Sequence, residues 1–150
     1  MQERLNTVKF DEYKTKGNDL LKQKKFPDAM EFYDKCLRIT RKATTLDNVA
    51  IYVNKIACLL SLEKYNQVVA ECNDATRLIK NYKNRNDGKH SADEIKRMDS
   101  MELRLAVRKG NAQAKLGKVS EAITEYERAL KFDPTNASVK KDLEMLRKTS

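Results

Sequence analysis

The chain has 150 residues, 40% of them apolar and 35% charged, with only four Gly, two Pro and no Trp. Its length sets one domain, and the scarcity of chain breakers and of strand-type alternation excludes a strand-rich fold and predicts an all-α protein. The net charge of +9 gives either a solvated lysine-rich surface or a basic face for acidic partners. Nothing in the sequence has zinc-ligand spacing, an RNA-binding aromatic signature or an unbroken basic tract.

Residues 1–9 are polar and read as a frayed end or the start of the first helix. From Phe10 the spacing of Tyr13, Gly17, Leu20 and Leu21 is helical. A break at Lys24–Asp28 follows, and Pro27 suits the first position of a new helix. That second helix carries Ala29, Met30, Phe32, Tyr33, Cys36, Leu37 and Ile39, so the two form a hairpin. A second hairpin follows. Its first helix has Val49, Tyr52, Val53, Ile56, Leu59 and Leu60; its second, after a break at 63–66, has Val68, Val69, Cys72, Ala75 and Leu78. A third runs from Leu103 through Val107, Gly110, Ala114 and Leu116, breaks at Gly117-Lys118, and returns through Ala122, Ile123, Tyr126, Ala129 and Leu130 to Asp133-Pro134.

Such hairpins are too small to bury their own apolar faces, so they stack on one another. Gly17 and Gly110 mark close approach of the two helices of a hairpin. Gly17 and its equivalent Ile56 are 39 residues apart, and Ile56 and Gly110 are 54 apart, so the repeat is interrupted twice. The first interruption lengthens the 41–48 connection. The second falls in the polar stretch 81–100. There Ser91-Ala92-Asp93-Glu94 reads as a capping box, predicting a long helix from near Ser91 to about Leu116 and a mobile loop over 84–90. After Pro134, Thr135 or Asn136 caps a last helix, whose Val139, Leu143, Met145 and Leu146 cover the open side of the third hairpin. The expected layout is repeat one at about 10–43, repeat two at about 49–82, an insertion at about 83–100, repeat three at about 103–136 and a capping helix at about 136–148.

Five donors fall at groove-facing positions of the three first helices: Lys14 and Asn18, then Asn54, then Arg104 and Arg108. Lys14 and Asn18 are four apart, as are Arg104 and Arg108, so each pair shares a helix face. Cations beside carboxamides, with no acid among them, suit carboxylates. One carboxylate fits between Lys14, Asn18 and Asn54; a second meets the guanidinium forks of Arg104 and Arg108. Leu21, Ile51, Ala57 and Val107 are the candidate apolar walls. Charge-assisted contacts worth about 1.5–3 kcal/mol each, less ordering costs, point to roughly micromolar binding of a short peptide.

Cys36, Cys58 and Cys72 lie within apolar faces and lack CxxC spacing, so they read as buried reduced thiols in a reducing compartment. His90, the single histidine, reads as a solvated loop residue. Asp93/Glu94 and Glu125/Glu127 read as capping and solvated surface. No phosphate-binding loop or nucleophile arrangement is present, and neither cofactor nor metal is expected. There is no apolar leader and no run of about 18 apolar residues, so the chain is expected to be soluble and cytosolic or nuclear.

The pattern Tyr13, Gly17, Leu20, Ala29, Tyr33 and, later, Gly110, Gly117, Ala122, Tyr126, Ala129, Pro134 resembles the tetratricopeptide repeat family. Repeat one departs from it at Cys36 and Arg41. Repeat two departs further, with Ile56, Val68 and Cys72. The resemblance spans about residues 10–148 and implies an α-solenoid of three helix hairpins and a capping helix, seven helices in all. Lys14, Asn18, Asn54, Arg104 and Arg108 are similar to the two-carboxylate clamp of the family's co-chaperone branch, with Arg104 standing where that branch has lysine. The likeness implies an adaptor, not an enzyme, for the Glu-Glu-Val-Asp tails of the seventy and ninety kilodalton heat-shock chaperones. Looser likenesses run to dynein axonemal assembly factors and to mitochondrial import co-receptors. The alternatives are a scaffold that ignores carboxylate ends, and a basic surface for nucleic acid or acidic lipid.

Overall fold

The computed structural model describes residues 2–39 and 45–149, without the side chains of residues 3, 86 and 87. Among these residues it has seven α-helices, one 3-10 turn and no strand. The helices are α1 (Gln2–Lys22), α2 (Phe26–Arg38), α3 (Thr45–Ser61), α4 (Tyr65–Lys83), α5 (Ala92–Lys115), α6 (Val119–Phe132) and α7 (Ala137–Thr149). Each helix packs on the next, and α3 also touches both α1 and α5. The first helices of the three hairpins thus stand side by side, as a stacked array requires.

The three hairpin turns share one geometry. Lys24, Glu63 and Gly117 hold the same place in each repeat and all adopt left-handed backbone, with φ of 60°, 57° and 78°. The backbone closes each turn identically: Lys25 N–H donates to the Leu20 carbonyl, Lys64 to Leu59 and Lys118 to Gln113, each at 2.9 Å. This six-to-one bond is the usual helix stop. Only the third turn places glycine there, so the first two carry a Cβ in a conformation that disfavours one.

Glycine is required where helices cross. A methyl group at Gly17 would lie 2.7 Å from Tyr33 Cε1, and one at Gly110 would lie 2.7 Å from Tyr126 Cε1. The middle hairpin reverses the pair, with Ile56 and Cys72 in those places, both fully buried. A large first-helix residue over a small second-helix residue preserves packed volume.

The core of the described residues forms three clusters. Phe10, Tyr33, Cys36, Ile51 and Cys58 fill the first. Val53, Ile56, Cys72, Ile79, Met98 and Leu105 belong to the middle one. Ala106, Tyr126, Val139 and Leu143 lie in the last. All three cysteines are buried. Burial pushes the Cys58 thiol up to about 11 and the Cys72 thiol up to about 12.

The insertion differs from expectation in one respect. Ser91 does cap α5, its Oγ accepting the Glu94 N–H at 3.1 Å. The 84–90 stretch, however, is not an open loop: Arg85–Gly88 forms a 3-10 turn and His90 is clasped rather than solvated. The His90 side chain is 5% exposed. Its ring stacks on Tyr82 at 5.0 Å, with Nε2 3.1 Å from the Lys83 carbonyl and Nδ1 3.3 Å from Glu94 Oε2. Tyr82 donates to the same carboxylate at 2.7 Å. That bond, with His90 beside it, lowers the Glu94 pKa and raises that of Tyr82. Arg97 on α5 reaches Asp47 at the start of α3, so the lengthened hairpin leans on its neighbour.

Two further expectations are corrected. Part of the 41–48 connection is helix, because α3 begins at Thr45; Arg41 and the expected end of repeat one near 43 lie outside the described residues. On α7, Val139 and Leu143 are buried as expected, but Met145 is 58% exposed, since it lies on the opposite side of the helix from Val139 and Leu143. Asn136 is the cap, its Oδ1 accepting from Val139 N–H at 3.1 Å.

Candidate functional site

The groove side of the stack is built by α1, α3 and α5. On α1, Lys14 and Asn18 are one turn apart and both half-buried. Asn18 is held by two donors. Tyr33 from α2 donates its hydroxyl to Asn18 Oδ1 at 2.7 Å, and Asn54 Nδ2 from α3 donates to the same oxygen at 3.0 Å. Hairpin one and hairpin two are thereby joined at their amides. Burial raises the Tyr33 pKa, with Cys58 adding to it and the Asn54 amide opposing. The phenol therefore stays protonated and available as a donor.

On α5, Arg108 reaches across to α3 and donates Nη1 to the Val53 carbonyl, next to Asn54. Burial lowers the Arg108 pKa, and the neighbouring Arg104 lowers it further. Arg104, one turn earlier, is exposed. Asn18, Asn54 and Arg108 are thus linked from α1 to α3 to α5, with Lys14 and Arg104 one turn from members of that line. Among the described residues, none of Lys14, Arg104 and Arg108 has a carboxylate within ion-pair distance. A cluster of cations without counter-charge can bind an anion, and the amides add neutral N–H donors.

The expected walls divide. Leu21, Ala57 and Val107 are half-buried. Ile51 is not a groove wall: it is 0% exposed, in the core cluster with Phe10 and Tyr33. The α3 face that carries Ile51 turns toward α1 and α2; three residues separate it from Asn54, which lies about 60° away round the helix. Near the C-terminal ends of α3 and α5 the surface opens into an apolar trough of about 570 Å³, which α7 also lines. Leu60 and Ala114, which line it, hold the repeat position of Leu21.

Other cations behave differently. Lys55 bonds Asp34 at 2.9 Å and Glu71 at 2.8 Å. Burial works against its charge, but these carboxylates outweigh burial and raise its pKa. Lys109, at the same repeat position, lies 3.4 Å from Glu125, which Arg128 also holds at 2.9 Å. Glu125 is buried, so it is not the solvated surface residue the sequence suggested. In the first hairpin the same position is Lys16, which sits 5.7 Å from the Phe32 ring centroid.

Sequence reasoning missed Tyr33 as a partner of Asn18 and missed this seam of paired lysines. Aligning the repeats shows both: a Gly-Asn pair faces Tyr in repeats one and three, and Lys16, Lys55 and Lys109 face Phe32, Glu71 and Glu125.

Comparison with known proteins places this architecture. The pattern described as TPR repeat matches residues 110–139. The chain is 28% identical over 137 residues to rat (Rattus norvegicus) dynein axonemal assembly factor 4, covering 91% of this chain and 29% of that protein. It is 27% identical over 139 residues to Heat shock protein STI1 of Saccharomyces cerevisiae, covering 93% of this chain and 20% of that protein. It therefore spans less than a third of these relatives' length. Among solved structures, the first TPR of Spaghetti (RPAP3) bound to the HSP90 peptide SRMEEVD has a TM-score of 0.72 at 24% identity, covering 95% of this chain and 93% of that one. The second TPR domain of human RPAP3, in complex with the HSP70 peptide SGPTIEEVD, has a TM-score of 0.70 at 22% identity, covering 95% and 98%. The fold is that of the tetratricopeptide repeat domains among these solved structures.

Proposed function

We propose that the groove is a two-carboxylate clamp, and that the chain is a non-enzymatic adaptor module for acidic chaperone tails ending Glu-Glu-Val-Asp. One carboxylate sits between Lys14, Asn18 and Asn54; the other meets Arg104 and Arg108. The partners are cytosolic heat-shock chaperones of the seventy and ninety kilodalton classes, which places the chain in the cytoplasm. The carrying observation is the line of amides and cations from α1 to α5 with no acid among them, in a molecule whose seam lysines are paired. The HSP90 and HSP70 peptides held by the two structural neighbours support the choice of ligand. The likeness to dynein axonemal assembly factor 4 supports a role in bringing a chaperone to dynein assembly.

Calorimetric titration with a Glu-Glu-Val-Asp peptide tests this. Micromolar binding is expected for the free acid, with a loss of about thirtyfold or more on amidating its end or on Asn54→Ala. Equal affinity for acid and amide would reject the clamp in favour of a scaffold surface.

A further inference from the structure

Asn18 can present either end of its amide to the groove. Turned one way it offers two N–H donors to a carboxylate; turned the other it offers a carbonyl oxygen, which repels one. The orientation therefore decides whether the site attracts or rejects its ligand. Asn18 Oδ1 already accepts two hydrogen bonds, from the Tyr33 hydroxyl at 2.7 Å and from Asn54 Nδ2 at 3.0 Å. Both donors come from elements outside α1. Both lie on the oxygen, leaving the nitrogen and its two hydrogens unspent among the described residues.

We propose that Tyr33 is a positioning residue for the clamp: its buried hydroxyl locks the Asn18 amide with the N–H groups toward the ligand, and so sets the preference for a carboxylate end. This rests on the clamp reading above. The tyrosine is well placed for the task. Its ring is packed on Gly17, where a Cβ would lie 2.7 Å away, so the hydroxyl cannot swing off its acceptor. Replacing it with phenylalanine keeps the ring and the packing and removes only the donor. Asn54 alone then remains to select the orientation.

The fold supplies its own control. In the third hairpin Tyr126 makes the same contact with Asn111 Oδ1 at 2.5 Å, over Gly110 instead of Gly17. Asn111 and Tyr126 lie outside the five clamp residues. Tyr126→Phe removes an equivalent buried hydrogen bond with an equivalent structural cost.

The experiment titrates the wild type, Tyr33→Phe, Tyr126→Phe and Asn54→Ala with a Glu-Glu-Val-Asp peptide and with its C-terminal amide, and records thermal unfolding of each. Tyr33→Phe should bind the free acid about fivefold more weakly, and its acid-over-amide ratio should shrink by about as much. Tyr126→Phe should lose a similar amount of thermal stability and keep the wild-type ratio. An unchanged ratio in Tyr33→Phe, or an equal fall in Tyr126→Phe, overturns the positioning role. If Asn54→Ala keeps full affinity, or the wild type does not distinguish acid from amide, the clamp reading itself fails and takes this one with it.

Discussion

Two sets of basic side chains cross the same three hairpins and are treated in opposite ways. Along the seam, the lysines have partners: Lys55 between Asp34 of the preceding hairpin and Glu71 of its own, Lys109 with Glu125, Lys16 over the Phe32 ring. Along the groove, Lys14, Arg104 and Arg108 have no carboxylate partner among the described residues, and Arg108 is half-buried beside another guanidinium. Paired charges in a half-buried seam hold helices together. Unpaired ones crowded in a groove are a liability in the free chain, offset only when an anion arrives. The difference teaches that charge within this fold is divided between structure and ligand, and that net charge alone would not reveal the division.

The division can be broken from either side. Among the basic side chains, the largest effect is expected at Arg104→Ala. It should weaken binding of an acidic tail by about tenfold. In the free chain it should raise stability by about 0.3 kcal/mol, because it relieves Arg108; a clear drop in melting temperature would mean Arg104 belongs to the structural set. Next is Lys55→Met, which removes both seam ion pairs and leaves Glu71 in a partly buried site. Denaturant unfolding should register a loss of about 1 kcal/mol, with peptide affinity unaltered. Weaker binding in this variant would blur the distinction between the two sets. The smallest effect is at Lys16→Met. A cation over a ring contributes about 0.5 kcal/mol at an exposed site, and its loss should show as a slight fall in melting temperature.

Most of the fold was legible because helical period and repeat period agree. Gly17 and Gly110 marked the crossings before any coordinates, and Ser91 marked the start of α5. The five candidate site residues were readable as a set only by comparing repeats, since no single helix carries more than two of them. What escaped has a common cause. Period says which residues share a face, but not which neighbour meets that face. Ile51 was read as an apolar groove wall, yet its face of α3 packs into the first core cluster. Met145 was placed on the core side of α7, where Val139 and Leu143 are buried and Leu146 packs against the same cluster, but it lies across the helix from them. The insertion has no period at all, so the His90–Tyr82–Glu94 clasp, made from residues on both sides of a turn, left no trace in the pattern.

The most direct test of the groove is a titration followed by nuclear magnetic resonance at the side-chain amides of Asn18 and Asn54. On adding a free-acid Glu-Glu-Val-Asp peptide, both amide pairs should shift more than the Asn111 amide, and the C-terminally amidated peptide should leave them still. If the shifts instead gather on α7 or along the Lys55 seam while Asn18 and Asn54 stay silent, the unpaired cations are not a binding site.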